Sequence, residues 1–427
     1  MSSPSPAASE APAPAAPSAF GYRDFRLFWF SRLTGSLAVN MTAVAVGWQV
    51  YEIARQSHSI KEASLYLGLI GLVQFVTLAG CSLVAGYISD RFDRRWIARG
   101  ALSVDLLSIG LLFAHARWGD QSLLPIFMAA SLLGIGRAFM APSMQALAPN
   151  LVPVTILPSA IAWNSIAWQI AAIGGPAACG YLIAGGAAWV YGTCLALLTV
   201  SLTCISFIRP VAQTPRTAGR PLRAILDGLS YIRTNRMVLG AISLDLFAVL
   251  LGGATAMLPV YARDILAVGP EGLGNLRAAP AVGAALVALV LTRFTLRNRV
   301  GLWMFACVGV YGLATAIFGL STSYTLSLAM LGVLGAADMI SVYVRSSLIQ
   351  IHTPDDMRGR VASVSTLFIS ASNELGEFQS GIVARLIGAV PAVVVGGVGA
   401  IVVTVLWAMW FPELRKANRL ATESSRS

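Results

Sequence analysis

An all-α polytopic membrane protein, with twelve transmembrane helices in two six-helix repeats, is the fold class the sequence predicts, and three observations predict it. The 427 residues are 56% hydrophobic and only 11% charged, with a mean hydropathy of +0.73; a soluble chain of this length carries about 25% charged residues. Apolar runs of about 20 residues, enough to cross a bilayer core, recur twelve times. The alternation of apolar and polar residues that marks a membrane strand is missing, which sets an outer-membrane barrel aside.

In chain order, residues 1–19 are rich in Pro, Ala and Ser and have neither the basic start nor the apolar core of a secretory signal, so they read as a disordered cytoplasmic tail. The first half, 20–208, carries apolar runs at 28–51, 64–88, 96–115, 122–146, 156–184 and 187–208. The longest internal polar stretch, 209–236, starts with Pro210, Pro215 and Pro221 and reads as a cytoplasmic linker. The second half, 237–412, repeats the pattern at 237–261, 274–294, 301–321, 324–350, 361–388 and 391–411, and 413–427 reads as a cytoplasmic tail. All five cysteines (Cys81, Cys179, Cys194, Cys204, Cys307) fall inside these spans without metal-type spacing, which predicts packed thiols and no metal site.

Charge orients the chain. With the amino terminus inside, 21 of the 30 basic residues fall in cytoplasmic segments. Six (Arg55, Lys61, Arg117, Arg263, Arg277, Arg385) fall on the other side, and Arg32, Arg137 and Arg345 fall within helices. That bias satisfies the positive-inside rule with both ends cytoplasmic. The net charge of +11 is then mostly topology, and nucleic acid is not needed as a partner.

The halves also resemble each other. Shifted by 201 residues, Leu147, Pro153, Gly175 and Gly180 meet Leu348, Pro354, Gly376 and Gly381; shifted by 202, DRFDRR (90–95) meets TRFTLR (292–297). Parallel six-helix repeats are one of the known transporter architectures.

Three kinds of stretch carry a family resemblance. GYISDRFDRR (86–95) resembles the loop between helices 2 and 3 of the major facilitator superfamily, G-x-x-x-D-R/K-x-G-R/K-R/K, with Asp93 in place of the usual glycine. IGGPAACG (173–180) is similar to the Gly-Pro motif in helix 5 of that superfamily's antiporters, here Gly175, Pro176 and Gly180, with Cys179 where glycine is common. GRAFMAP (136–142), TPDDMRGRVAS (353–363) and SNELGEFQSG (372–381) look like the branch containing siderophore exporters and macrolide efflux pumps.

The resemblance implies a gating role for Gly86, Asp90, Arg91, Arg94 and Arg95. In related transporters the aspartate faces the cytoplasmic start of helix 11, here near Arg358 and Arg360. A carboxylate there would meet free backbone N–H groups and the positive end of the helix dipole, forming a latch while the halves are closed on the cytoplasmic side. A local Asp90–Arg94 pair at helical spacing is the alternative.

Charge inside a membrane span is costly and marks function. Arg137 in span 4 and Asp338 in span 10 occupy the same position under the 201-residue shift; the resemblance places both on a central cavity, facing each other, and a permanent ion pair holding the bundle is the alternative. Asp245 in span 7 is another cavity candidate, with a contact to the backbone of span 4 or span 10 as the alternative. Glu374 and Glu377 share one face of span 11, and two neighbouring carboxylates in low dielectric cannot both ionise cheaply. They are the leading candidate proton carriers, with a hydrogen-bonded structural pair as the alternative. Asp105 and Arg345 read as structural. Asn40, Asn164 and Gln169, with Trp48, Trp163 and Trp168, are candidates for a polar-aromatic substrate surface.

Other classes lack their chemistry. The two lysines, Lys61 and Lys416, follow no glycine, so the phosphate loop of an ATP-driven pump is missing. Three histidines, His58, His115 and His352, are far apart and build no catalytic or metal constellation. The expectation is a monomeric secondary transporter of the bacterial inner membrane without cofactor, coupling protons to efflux of a drug-like or siderophore-like small molecule. A lysophospholipid flippase or an importer of the same fold is the alternative.

Overall fold

Hydrophobic continuity and well-capped turns divide the chain into long antiparallel helices. The first half consists of α1 (Arg23–Ser57), α2 (Ile60–Arg91), α3 (Arg94–Trp118), α4 (Leu124–Leu147), α5 (Leu157–Ile183) and α6 (Ala187–Ser206). A short connecting helix, α7 (Pro221–Thr234), leads to α8 (Arg236–Leu251) and the three-residue α9 (Leu258–Val260), followed by α10 (Gly269–Arg293), α11 (Val300–Leu320), α12 (Tyr324–His352), α13 (Asp355–Ile387), α14 (Ala389–Trp410) and the four-residue α15 (Pro412–Arg415). This computed structural model describes residues 18–119, 121–210, 221–294, 296 and 298–417. Most of the amino-terminal tail, linker stretch 211–220, residue Arg297 and the end of the carboxy-terminal tail lie outside the described residues, as does the side chain of Asp90.

Among the described residues, ten segments are long and apolar enough to span a membrane, the sixth of them running Arg236–Ile265 across α8 and α9. The long α1 and α13 complete the twelve, both packed lengthwise in the bundle: α1 on α5 and α6, α13 on α2 and α8. Both carry more charge than the other ten, and both supply cavity residues. No strand is assigned among the described residues.

The turns show why the helices start where they do. Ser59 and Glu62 form a reciprocal capping box at the start of α2, and Asn235 caps α8 through the amides of Met237 and Val238. Asp93, in place of the family's glycine, caps α3: its carboxylate accepts from the Arg95 amide at 3.0 Å with φ at −60°. Since no left-handed backbone is required there, an aspartate fits. The Arg95 guanidinium also holds the Asp93 carboxyl below the ordinary carboxylate range and donates to the Ile208 carbonyl at 3.0 Å, tying this turn to the end of α6.

Two sequence readings need correction. Residues 221–234, read as part of a linker, are helical, with Ile225, Leu229 and Ile232 packed on Val361 and Val364 of α13. Arg277, counted as a loop charge, lies inside α10 and faces the interior. The seventh span is also broken: α8 ends at Leu251, Gly252 and Gly253 intervene, and the segment resumes through 3-10 turns, α9 and a π turn, Tyr261–Ile265.

The halves meet along two matching seams, α2 on α13 and α5 on α10. The bundle has two distinct ends. One, the basic end, carries the turns at 91–94, 206–210, 234–236 and 352–355. The other carries the turns at 57–60 and 265–269.

Candidate transport cavity

A cavity of about 770 Å³ lies between the halves, lined by every helix of the first half and by segments of α8, α10, α11, α12 and α13. It extends toward the basic end, where Arg32 of α1, Gln145 of α4 and Ser201 of α6 line it.

At the other end the halves are tied together. Tyr51 donates to Asp264, and Arg55 lies 3.5 Å from the same carboxylate. Arg263 donates to the Glu52 carbonyl at 3.4 Å, and Lys61 to the Leu386 carbonyl at 3.5 Å. The seams there are close enough to require glycine. A Cβ on Gly180 would sit 2.8 Å from the Pro270 carbonyl oxygen, and one on Gly274 2.6 Å from that of Pro176. A Cβ on Gly68 would sit 2.9 Å from the Gly381 Cα, and one on Gly381 2.7 Å from the Gly68 Cα. Gly180 and Gly381 are related by the 201-residue shift, so the two seams use the same device. The second pair of the repeat behaves alike: a Cβ on Gly175 would meet the Asn40 Cβ on α1 at 2.8 Å, and one on Gly376 the Val249 carbonyl on α8 at 3.0 Å. Of the helix 5 motif, Gly180 therefore packs against backbone, and Gly175 against the Asn40 Cβ and the Leu37 carbonyl.

Charge is concentrated midway along the cavity. Arg137 of α4 reaches across to Glu374 of α13 at 2.5 Å and donates to Gln74 of α2 at 3.2 Å. This ion pair joins the two halves. Glu377, one turn further along α13, pairs with Arg277 of α10 at 3.7 Å, and Arg277 also donates to the Thr255 carbonyl at 2.9 Å. Asp338 lines the same cavity beside Tyr311 but is not the partner of Arg137. Arg137 and Asp338 thus both line the cavity, but the alternative of an ion pair between them is not what forms: α13 brings Glu374 to Arg137 instead.

Asp245 is not at this cavity. It forms a buried ion pair with Arg345 of α12, which holds the inside of the second half together. Arg345 was read as structural, and the pair shows the contact behind that reading. Asp105, also read as structural, instead lines the cavity with a buried carboxylate oxygen that has no hydrogen-bond partner, close against Gly136. Of the polar-aromatic candidates, Asn40 and Trp168 line the cavity, whereas Asn164 and Gln169 do not. Trp163 instead joins Phe20 and Trp29 in a ring cluster, its carbonyl accepting from the Trp29 indole at 2.8 Å, and Trp48 is buried in the core.

At the basic end the start of α13 makes local contacts. Arg358 pairs with Asp355 at 2.5 Å, and Arg360 with Asp227 of α7 at 3.2 Å. A Cβ on Gly86 would meet nothing within 4 Å, so no close approach explains that glycine in this state. No His, Cys, Asp and Glu group able to hold a metal is found among the described residues.

The family described as Transmembrane secretion effector matches residues 13–427. The chain belongs to this family, within the major facilitator superfamily. Curated relatives agree: an enterobactin exporter, EntS, of Escherichia coli (strain SMS-3-5) and one of Shigella boydii serotype 18 are each 25% identical over 407 residues, covering 94% of this chain and 95% of the relative. Among solved structures, a POT family transporter in complex with 5-aminolevulinic acid superposes with a TM-score of 0.70 at 11% identity, covering 92% of this chain and 97% of that one. A bacterial homologue of the iron transporter ferroportin in an inward-facing state superposes at 0.64 and 16% identity, covering 90% and 98%. The protein is a multi-pass membrane transporter of this superfamily and not an enzyme. Sequence reading missed Arg277 and Arg32 as cavity residues. A signal existed in both cases, since each is an arginine within an apolar helix.

Proposed function

We propose that the protein exports a drug-like or siderophore-like small molecule across a bacterial inner membrane by alternating access, in exchange for protons. Both chain ends then face the cytoplasm, so the cavity reaches toward the side from which an exporter loads. The observation that carries the reading is the Arg137–Glu374 pair: an ion pair joining the halves in a cavity wall is a contact that proton binding or substrate binding can break. A proton on Glu374 removes the charge that holds Arg137 and frees the halves to rock. Glu377 with Arg277, Asp338 and Asp105 are further proton-binding groups on the same wall. Asp90 belongs to the opposite phase of the cycle, as the latch at Arg358 and Arg360 when the basic end closes. The similarity to enterobactin exporters supports export over import, and the protein works as a monomer because each half supplies the other's partner.

The test is transport by the purified full chain in proteoliposomes with an imposed pH gradient, against a catecholate siderophore, a macrolide, a cationic dye and a lysophospholipid. Uphill movement of one of the first three, with protons moving the opposite way and both stopping when the gradient is dissipated, is expected. Saturable lysophospholipid movement without proton flux would overturn the exporter in favour of a flippase.

Topology gives a second expected result. The basic bias implies that Ser57 and Thr234 face opposite sides of the membrane, and both are exposed. Single cysteines there, in a chain lacking its five native cysteines, should react with an impermeant thiol reagent from outside at position 57 only. Reaction at both, or at 234 alone, in intact cells would overturn the orientation.

A further inference from the structure

Three arginines line the cavity, and two of them, Arg137 and Arg277, are paired with Glu374 and Glu377. The third, Arg32 of α1, makes no hydrogen bond or ion pair among the described residues, and its Nε is buried without a partner. Burying a guanidinium nitrogen without a partner is costly, and buried polar atoms of cations are ordinarily satisfied. A protein keeps such a group where a partner arrives from outside. We propose that Arg32 is the anchor for an anionic oxygen group of the transported molecule, a carboxylate, phosphate or catecholate, and that the substrate class is amphipathic organic anions.

The surrounding face fits that chemistry. Arg32, Ser36, Val39 and Ala43 all line the cavity, and their spacing of four, three and four residues places them on one face of α1. Charge and hydroxyl lie toward the basic end and apolar side chains lie deeper, so one face presents an anion site followed by a greasy track. A guanidinium supplies a planar fork of donors that matches carboxylate and phosphate geometry. Trp168, half exposed in the same cavity, offers a flat apolar surface for a ring. Asp105, Asp338 and the two paired glutamates stand elsewhere on the wall. They limit where an anion can settle, leaving Arg32 as the cavity cation free to receive it. The arginine's side chain is not part of the packed core, so its replacement leaves the bundle's contacts in place.

The proposal rests on the transport reading for its cargo, but it is tested by binding, with no gradient and no transport. The full chain in detergent is titrated with fluorescein as a ring-bearing anion, with rhodamine 6G as a ring-bearing cation, and with lysophosphatidylglycerol as a lipid phosphate. Arg32→Gln should weaken fluorescein by about ten- to a hundred-fold, the range of a charge-assisted hydrogen bond, and Arg32→Lys should weaken it less. Rhodamine 6G should bind Arg32→Gln no more weakly than wild type. An Arg32-dependent loss for fluorescein identifies a free organic anion as the ligand; the same loss for lysophosphatidylglycerol alone identifies a lipid headgroup. Equal loss for anion and cation, unchanged anion affinity in Arg32→Gln, or no binding of either anion by wild type overturns the proposal. A failure of proton-driven export in liposomes would leave this binding result readable in its own right.

Discussion

Glu374→Gln will lose uphill, gradient-driven transport while retaining folding and some substrate binding. The carboxylate is nearly buried at 7% side-chain exposure, and its partner Arg137 is 43% exposed. Removing one member of a fully buried pair costs about 3–5 kcal/mol. Half of this pair faces the cavity, so solvent screening reduces the expected cost to about 1–3 kcal/mol. At about 1.4 kcal/mol per factor of ten, the equilibrium between cavity states shifts by roughly ten- to a hundred-fold. Glutamine keeps an acceptor for Arg137 but carries no exchangeable charge, so coupling should suffer more than binding. The measurement is substrate counterflow beside pH-driven uptake in proteoliposomes: exchange persists and uphill uptake is lost. The swapped pair, Arg137→Glu with Glu374→Arg, restores the cross-half contact and should recover the distribution of states, read by thiol accessibility, better than either single variant. Glu374→Gln and Glu377→Gln, singly and together, with wild-type pH dependence would remove this pair from the coupling mechanism.

The fold was largely legible because it is written in hydrophobic length. The twelve apolar runs correspond to the helices from α1 to α14, because a bilayer core requires about 20 apolar residues and tolerates little else. What the sequence concealed lies where local rules are weak. The helix at 221–234 was masked by prolines and charge around it, although Ile225, Leu229 and Ile232 recur at helical spacing. Arg277 was placed in a loop because it stands near an end of its span, where basic residues are ordinary. Pairing was the least legible level. The 201-residue shift relates Arg137 to Asp338 in sequence, but a pseudo-symmetric position is not a contact, and Glu374 is the carboxylate that α13 brings to Arg137. Asp245 and Arg345 each looked like a lone charge; only packing of α8 against α12 reveals them as one buried pair. Chemistry-bearing positions were therefore visible, whereas their partners needed three dimensions.

The glycine seams explain how the repeat becomes a gate. Two helices of each half meet two of the other, and at both crossings the backbone of one helix lies where a side chain would otherwise be. Packing this close gains dispersion contacts along the seam and leaves only a narrow margin for change. The seal at the end opposite the basic end is thus built from shape, with the Tyr51, Arg55 and Asp264 cluster fixing its register. Such a seal can part and re-form as the halves rock, with the Tyr51, Arg55 and Asp264 contacts parting alongside it.

Gly180→Ala together with Gly381→Ala will therefore spring that end apart. Each added methyl falls 2.7–2.8 Å from backbone atoms of the partner helix, inside the contact distance of carbon with carbon or oxygen. Neither Pro270 nor Gly68 can yield by rotating a side chain, so the helices must separate. Overpacking of this kind costs about 1–3 kcal/mol per site, and two sites on separate seams add when they share no partners. The state shut at this end should lose about a hundred-fold or more in population relative to the state shut at the basic end, with transport reduced at least tenfold because the cycle needs both. The readout is a cysteine at Ile70, which is buried at 7% exposure on the cavity side of the α2–α13 seam, in a chain free of native cysteines. Impermeant thiol reagent applied from the side opposite the basic end should label it faster in the double glycine variant than in the parent. Gly110→Ala and Gly309→Ala, where a Cβ would meet nothing within 4 Å, serve as controls and should leave this labelling unchanged. Parental labelling and transport in the double variant would show that the seams have slack, and the seal would then rest on the polar cluster around Asp264 instead.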